Sequence, residues 1–539
     1  MSALTACLPE VSAAAAPEFS DPLSCKAWLE HVPLANVSEA QRQLLEQLGE
    51  LNRVALPVLV RLEVLEALRE AVAFVQIEQA KRFTNRALPM APAESTLFAT
   101  TIDLWEQMRI GYLHCLAAGA AMRPHAALVV QRLLAYSGLK MFHHYRAYRQ
   151  IPDAEWRGLH QSYRCAEELG VAESEVKDYL NRDVHAVNPR MQYVRALLLG
   201  LANPNELTRR QLSFVGFLLE RWAEKVTVTS QPVEGEGMPP LVVDIAGDKP
   251  PERLVSQTDA LPAEARFLDS SNLAHSLKNR IGLLRSGESP AKLALGEDCV
   301  QPSCEQMLGF LFRQWCQPRQ ARALDRKRVS TVALACNDMA AIHYYILGRP
   351  FRQPGMQTEL SHREREQIAT FGRVSTKDED DYSAVHGFLL EHWQVEDENI
   401  SGLRMLRSVA SPGKRFAHGQ LVAVRPGDAK SFMLAQVRWL MQGGEGNLYA
   451  GLRMLPGLPS AIAARAYGLN VGKEKFVPAL ALGEVAALRS PATLILPSGW
   501  YKPKRVIELF LQQSVRARLL ELTERGADFE RMTYTTAVD

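Results

Sequence analysis

The chain has 539 residues, 47% of them hydrophobic and 23% charged, and its 62 lysines and arginines against 60 aspartates and glutamates leave a formal net charge of +2. This composition excludes wholesale disorder, a collagen-like fibre and a disulfide miniature, and allows about three or four domains. The charge balance excludes a polybasic chain that coats nucleic acid by electrostatics alone, so any basic site has to be local.

Residues 1–36 read as a flexible N-terminus, and their opening, MSALTACLPEVSAAAAPEF, lacks the basic start and apolar core of a secretory leader. Residues 37–230 read as an all-helical domain. Leu62, Leu65, Leu68, Val72 and Val75 recur at three- and four-residue steps, which places one apolar stripe on a helix. Asn203-Pro204-Asn205-Glu206 has the residue order of a helix start, and the helix it opens carries Leu212, Val215, Leu219 and Trp222. Trp156, Leu159 and Tyr163 have the spacing of the first helix of a tetratricopeptide repeat, but no second copy follows about 34 residues away. The richest apolar run, Gly111 to Met122, carries His114 and falls short of the ~18 to 20 residues of a membrane helix, so no membrane insertion is expected.

Between Pro232 and Pro251 five prolines and three glycines mark a linker, assigned to residues 231–262. A helical connector follows over 263–318. Asp269 or Ser270 caps its first helix, and Ser303 with Gln306 forms a capping box for the second. After Arg319 the pattern changes to short alternating runs punctuated by Gly and Pro turns: Val329–Leu334, Gly387–Val395, Gly419–Val424, Phe432–Leu440 and Leu448–Met454. The expected fold is α+β, an N-terminal helical domain followed by an antiparallel β-barrel over 319–465. Residues 466–539 form a β-rich extension, with strands at Pro491–Leu496, Ser514–Leu522 and Phe529–Thr535.

Catalytic signatures are absent. Gly472-Lys473 continues with Glu474 and fails as a phosphate loop, and no H-E-x-x-H or G-x-S-x-G is present. Cys304 and Cys316, twelve residues apart on one helix, would differ by about 120° in azimuth and ~18 Å along the axis, too far apart to share a metal ion. The eight cysteines lack a framework spacing and read as reduced thiols of a cytoplasmic protein. His143-His144 reads as a surface histidine beside a buried aromatic, because adjacent helical positions point about 100° apart.

The segment Arg313 to Arg352 holds eight basic and two acidic residues, and it contains Arg322-Ala323-Leu324-Asp325-Arg326-Lys327-Arg328 just before the first strand. A flexible arginine cluster leading into a rigid sheet can clamp phosphates bidentately and stack on bases. Arg322-x3-Arg326 resembles the R-x-x-x-R motif of PilZ domains, the bacterial family of cyclic di-GMP receptors. Asn399-Ile400-Ser401-Gly402-Leu403-Arg404-Met405 resembles their [D/N]-x-S-x-x-G segment, Gln436–Trp439 their late valine-tryptophan strand, and Ala450–Met454 their closing glycine strand. Here Arg326 and Asn399 stand 73 positions apart, with an insertion at about 347–383, and Asn replaces the commoner Asp. A second pair, Arg373 and Lys377, lies closer but lacks the second guanidinium.

The resemblance implies a non-enzymatic receptor that holds cyclic di-GMP on Arg322, Arg326, Asn399, Ser401 and Gly402, with no catalytic residue, metal or further cofactor. Its helical domain would meet a protein partner; neither DNA nor RNA is expected. The alternative is a ligand-free interaction scaffold with a degenerate barrel. RNA binding by a small barrel needs exposed aromatics, and Trp393 and Trp439 read as core positions.

Overall fold

In the computed structural model, which describes residues 4, 8–181, 186–232, 241–254, 261–317, 326–354, 383, 385–467 and 474–536, the chain is α+β and divides into two units. One comprises Met1–Arg86 and Met90–Ala323, the other Ala87–Pro89 and Leu324–Asp539.

The first unit begins earlier than the composition suggests. Asp21 accepts from the Leu23 and Ser24 amides and opens α1 (Pro22–Leu29), and Phe19 and Cys25 are buried. These residues correct the reading of a flexible N-terminus over 1–36. Then come α2 (Val37–Leu51), α3 (Val58–Ala80), α4 (Pro92–Ala117), α5 (Ala126–Arg146) and α6 (Asp153–Glu168). The stripe from Leu62 to Val75 is buried along α3 as the periodicity predicts. Trp156, Leu159 and Tyr163 are buried on α6 within the same helical core.

A minimal hairpin, β1 (Val176–Lys177) with β2 (Ala186–Val187), precedes α7 (Pro189–Leu201) and α8 (Arg209–Trp222). The latter starts five residues later than the Asn-Pro signal predicts. Asn203 sits at φ 48° and caps nothing, whereas Thr208 and Gln211 cap reciprocally. A four-stranded sheet ordered β3-β6-β4-β5 follows: β3 (Thr227–Thr229), β4 (Leu241–Asp244), β5 (Glu252–Arg253) and β6 (Ala265–Asp269). The segment assigned as linker therefore contributes two strands, because Leu241, Val242 and Val243 bury against the helical core or β6.

Helices α9 (Ser271–Arg285) and α10 (Ser303–Cys316) complete the unit. Asp269 accepts from the Ser271 amide, but Ser303 is already helical and its capping box does not form. Cys299 and Cys304 form a disulfide, which corrects the reading of uniformly reduced thiols; five residues of loop and helix start bring the two together. Among the described residues no single helix is long and apolar enough to cross a membrane.

The second unit holds two closed antiparallel barrels. Strand β7 (Lys327–Asn337) leads into the unforeseen helix α11 (Met339–Leu347), capped by Asp338 and stopped by Gly348 at φ 73°. The helix ends at Leu347, where the assigned insertion begins; most of that insertion, including Arg373 and Lys377, lies outside the described residues. Strands β8 (Glu391–Asn399), β9 (Gly402–Ser408), β10 (Leu421–Pro426), β11 (Met433–Gln442) and β12 (Asn447–Met454) close the first barrel in the order β10-β11-β12-β9-β8-β7. Trp393, Val395, Val422, Val424, Val437 and Leu448 are buried, as alternation in a small filled barrel requires.

The assigned extension is itself a closed barrel, β13 (Pro459–Ala466), β14 (Val477–Leu482), β15 (Thr493–Pro497), β16 (Val506–Phe510), β17 (Ser514–Arg525) and β18 (Phe529–Thr535), ordered β13-β14-β15-β18-β17-β16. It begins at Pro459 rather than at 466, since β13 pairs with β14 and β16.

Candidate functional site

Strands β8 and β9 are joined by a two-residue turn, Ile400-Ser401, with Asn399 opposite Gly402. Asn399 Oδ1 accepts from both the Ser401 amide (3.1 Å) and the Ser401 hydroxyl (2.9 Å), an Asx turn that fixes the loop without a bound molecule. The Ser401 oxygen keeps its lone pairs for a further donor, while Asn399 Nδ2 remains a donor. The Ser401 carbonyl accepts from Met454 N at 3.0 Å and ties the turn to β12. Gly402 has a backbone role: a Cβ there would stand 2.4 Å from the Leu452 carbonyl oxygen. It permits β9 to approach β12 and offers no side chain to a ligand.

Arg326 immediately precedes β7, whose Lys327 pairs with Glu398 and Arg328 with Asp397. The structure thus brings Arg326 to the end of the barrel that carries Asn399, across 73 positions of sequence. Its guanidinium is engaged by the Asp397 carboxylate, both side chains being about a quarter exposed or less (25% and 18%). Arg322 lies outside the described residues.

Register then assembles a row that the sequence motifs did not contain. Arg328 pairs with Asp397, Asp397 with Arg404, Arg404 with Gly451, and Gly451 with Trp439. Three strands carry an irregularity here, between Arg328 and Thr331, Val395 and Asp397, and Val437 and Trp439. Each extra residue re-aims the side chains beside it. Trp439 is consequently only partly buried, and its indole lies across Gly451, where a Cβ would meet Nε1 at 1.9 Å. This corrects the expectation that Trp439 is a core residue; Trp393 is fully buried.

Arg404 pairs with Glu396 at 2.7 Å, and its guanidinium stands 5.6 Å from the Tyr449 ring. Arg453, opposite Gly402, is held by Glu524 of β17 and by Gln436. Arginines, two aromatic rings and a hydroxyl acceptor therefore share one outer face. The carboxylates of Glu396 and Asp397 stand among them, so an incoming phosphate has to displace an existing partner.

The other end of the barrel is closed by a buried pair, Arg407 and Glu391, 3.0 Å apart, with Arg407 also 5.3 Å over the Trp393 ring. Among the described residues no group of three His, Cys, Asp or Glu side chains could hold a metal ion. Arg328, Arg404, Tyr449 and Trp439 were missed as site residues. The one signal available was strand alternation, and the irregularities shift it.

Residues 23–233 match the family model described as the N-terminal domain of the cyclic-di-GMP receptor FimW, and residues 462–537 match the FimW C-terminal beta-barrel domain. A curated protein, the cyclic-di-GMP receptor FimW of Pseudomonas aeruginosa, is 24% identical over 564 residues, an alignment covering 96% of this chain and 90% of that protein. The two matched stretches correspond to the helical domain and the second barrel. The first barrel, with the PilZ resemblance and the arginine-rich face, lies between them.

Proposed function

We propose that the chain is a non-enzymatic, cytoplasmic cyclic di-GMP receptor, and that the nucleotide settles on the outer face of the first barrel around the β8–β9 turn. Similarity along nearly the whole chain to a protein named as such a receptor supports the ligand. The observation that carries the site is the row from Arg328 to Trp439 beside Arg326 and Ser401. Phosphates take the guanidiniums of Arg326, Arg328 and Arg322. The guanine N1 and N2 donors are met by the Ser401 oxygen. A base stacks on Trp439, a sequence-tolerant contact worth about 1–3 kcal/mol. Freeing Arg326 from Asp397 costs about 1 kcal/mol for a partly exposed pair. A charge-assisted bond to phosphate contributes about 1.5–3 kcal/mol, so exchange favours the ligand. The helical domain would transmit the bound state to a protein partner.

Titration calorimetry of the full chain tests this. Saturable heat at micromolar cyclic di-GMP is expected, lost in Arg326→Ala and weakened about tenfold or more in Trp439→Ala. The ion pair between Arg326 and Asp397 favours a second reading, a ligand-free scaffold whose guanidinium is satisfied internally. Absence of both heat and a thermal shift would select that reading.

A further inference from the structure

The helical unit contains a cavity of about 440 Å³ between α3, α4, α5, α7, α8 and the chain around Asp178, and it involves no residue of the barrel face. Small side chains leave the space: Ala73, Ala135, Gly138, Ala196 and Gly216 line it. A Cβ built at Gly216 would meet Phe142 atoms alone, at 3.7 Å.

The walls carry three guanidiniums and two carboxylates, Arg69, Arg146 and Arg195 against Asp178 and Glu220. Arg69 is paired with Asp178 at 2.7 Å. Arg195 is held by neutral acceptors, Asn181 Oδ1 at 3.1 Å, Gln192 Oε1 at 3.3 Å and the Glu220 carbonyl at 2.9 Å, and its Nε is unpartnered among the described residues. Arg146 stands 5.5 Å over the Phe142 ring, has no ion pair among the described residues, and also has an unpartnered Nε. Burial, with Arg209 nearby, pushes its guanidinium down to about 10, as expected where the positive charge is poorly compensated.

Further lining groups have unpartnered polar atoms among the described residues. Trp105 Nε1 and His143 Nδ1 belong to side chains 3% exposed and have no hydrogen-bond partner among the described residues. His143 and His144 are thus buried, contrary to the surface reading of the sequence. Burial, together with Arg146 and His144, holds His143 far below its usual value and therefore neutral. Folded chains rarely leave several buried polar atoms around one space unsatisfied, and an apolar pocket with a few convergent polar groups is the usual form of a small-molecule site.

We propose that this cavity binds a single-headed aromatic anion, with its carboxylate or phosphate on Arg146 and Arg195 and its flat body against Trp105 and Phe142. Arg146 and Arg195 provide for one anionic head, whereas a cyclic dinucleotide carries two separate phosphates. The site is separate from the barrel face and does not depend on it.

The test is titration of the full chain with two probes, guanosine 5′-monophosphate and 1-naphthoate. At least one should bind saturably, one molecule per chain; which one binds distinguishes a phosphate head from a carboxylate. Arg146→Gln and Gly216→Leu should each weaken that binding about tenfold. The Gly216 change adds a side chain inside a helix, so folding is retained, and melting curves verify it. Cyclic di-GMP binding should be unchanged in both variants. No saturable binding of either probe, or equal binding in both variants, overturns the proposal. Loss of cyclic di-GMP binding in folded Gly216→Leu also overturns it, because the dinucleotide would then occupy the cavity. Loss of that binding in Arg326→Ala alone concerns the barrel face and leaves the cavity proposal standing.

Discussion

Asp397 sits opposite both Arg328 and Arg404 and engages Arg326. Removing its charge should free Arg326 for phosphate without altering strand pairing. Asp397→Asn is therefore expected to tighten cyclic di-GMP binding by about three- to tenfold, the loss of one partly exposed ion pair. Calorimetry checks it, and an unchanged or weaker affinity would remove Asp397 as competitor. Asn399 and Ser401 were singled out in the sequence by the resemblance alone; that they form a two-residue turn between β8 and β9 emerged from strand pairing. Gly402 was legible as a residue but not in its role, which is close backbone approach to Leu452. Trp439 was misread because its orientation depends on an irregularity in β11.

At the scale of elements, α3 illustrates both success and omission. Its apolar stripe follows from periodicity alone, whereas its polar residues are explained by distant partners. Arg132 on α5 bridges Glu66 at 2.9 Å and Asp178 at 3.2 Å, while Arg69 on α3 holds Asp178 at 2.7 Å. Burial by itself would raise Glu66 and Asp178, but the arginines beside them hold both below the usual carboxylate range. Groups with a depressed native value stabilise above their unfolded value of about 4 and lose that contribution as pH falls through the lower native one. The urea midpoint of the helical unit should accordingly drop below about pH 4. Asp178→Asn should cost about 3–5 kcal/mol near neutral pH, because it leaves buried guanidiniums uncompensated. Its pH profile should be flatter, and a parallel one would discount this network.

Across the molecule, the two barrels are not independent beads. Ile342 of α11, Leu421 and Leu434 of the first barrel, and Leu480, Leu482, Ile495 and Phe529 of the second form one buried cluster. Leu482→Ala should cost about 2–5 kcal/mol, as for other buried leucines. Amide exchange should rise together in β10 and β14, and a rise confined to the second barrel would show that they open separately. The sequence alone determined the order of the parts, helices first and short strands after, because hydrophobic period is a local property of the chain. Closure of the strands into two barrels was decided by tertiary structure, as were the burial of His143 and the gathering of Arg326, Arg404 and Trp439 on one face. Strand register and side-chain partners are set between residues tens to more than a hundred positions apart, and no local pattern encodes them.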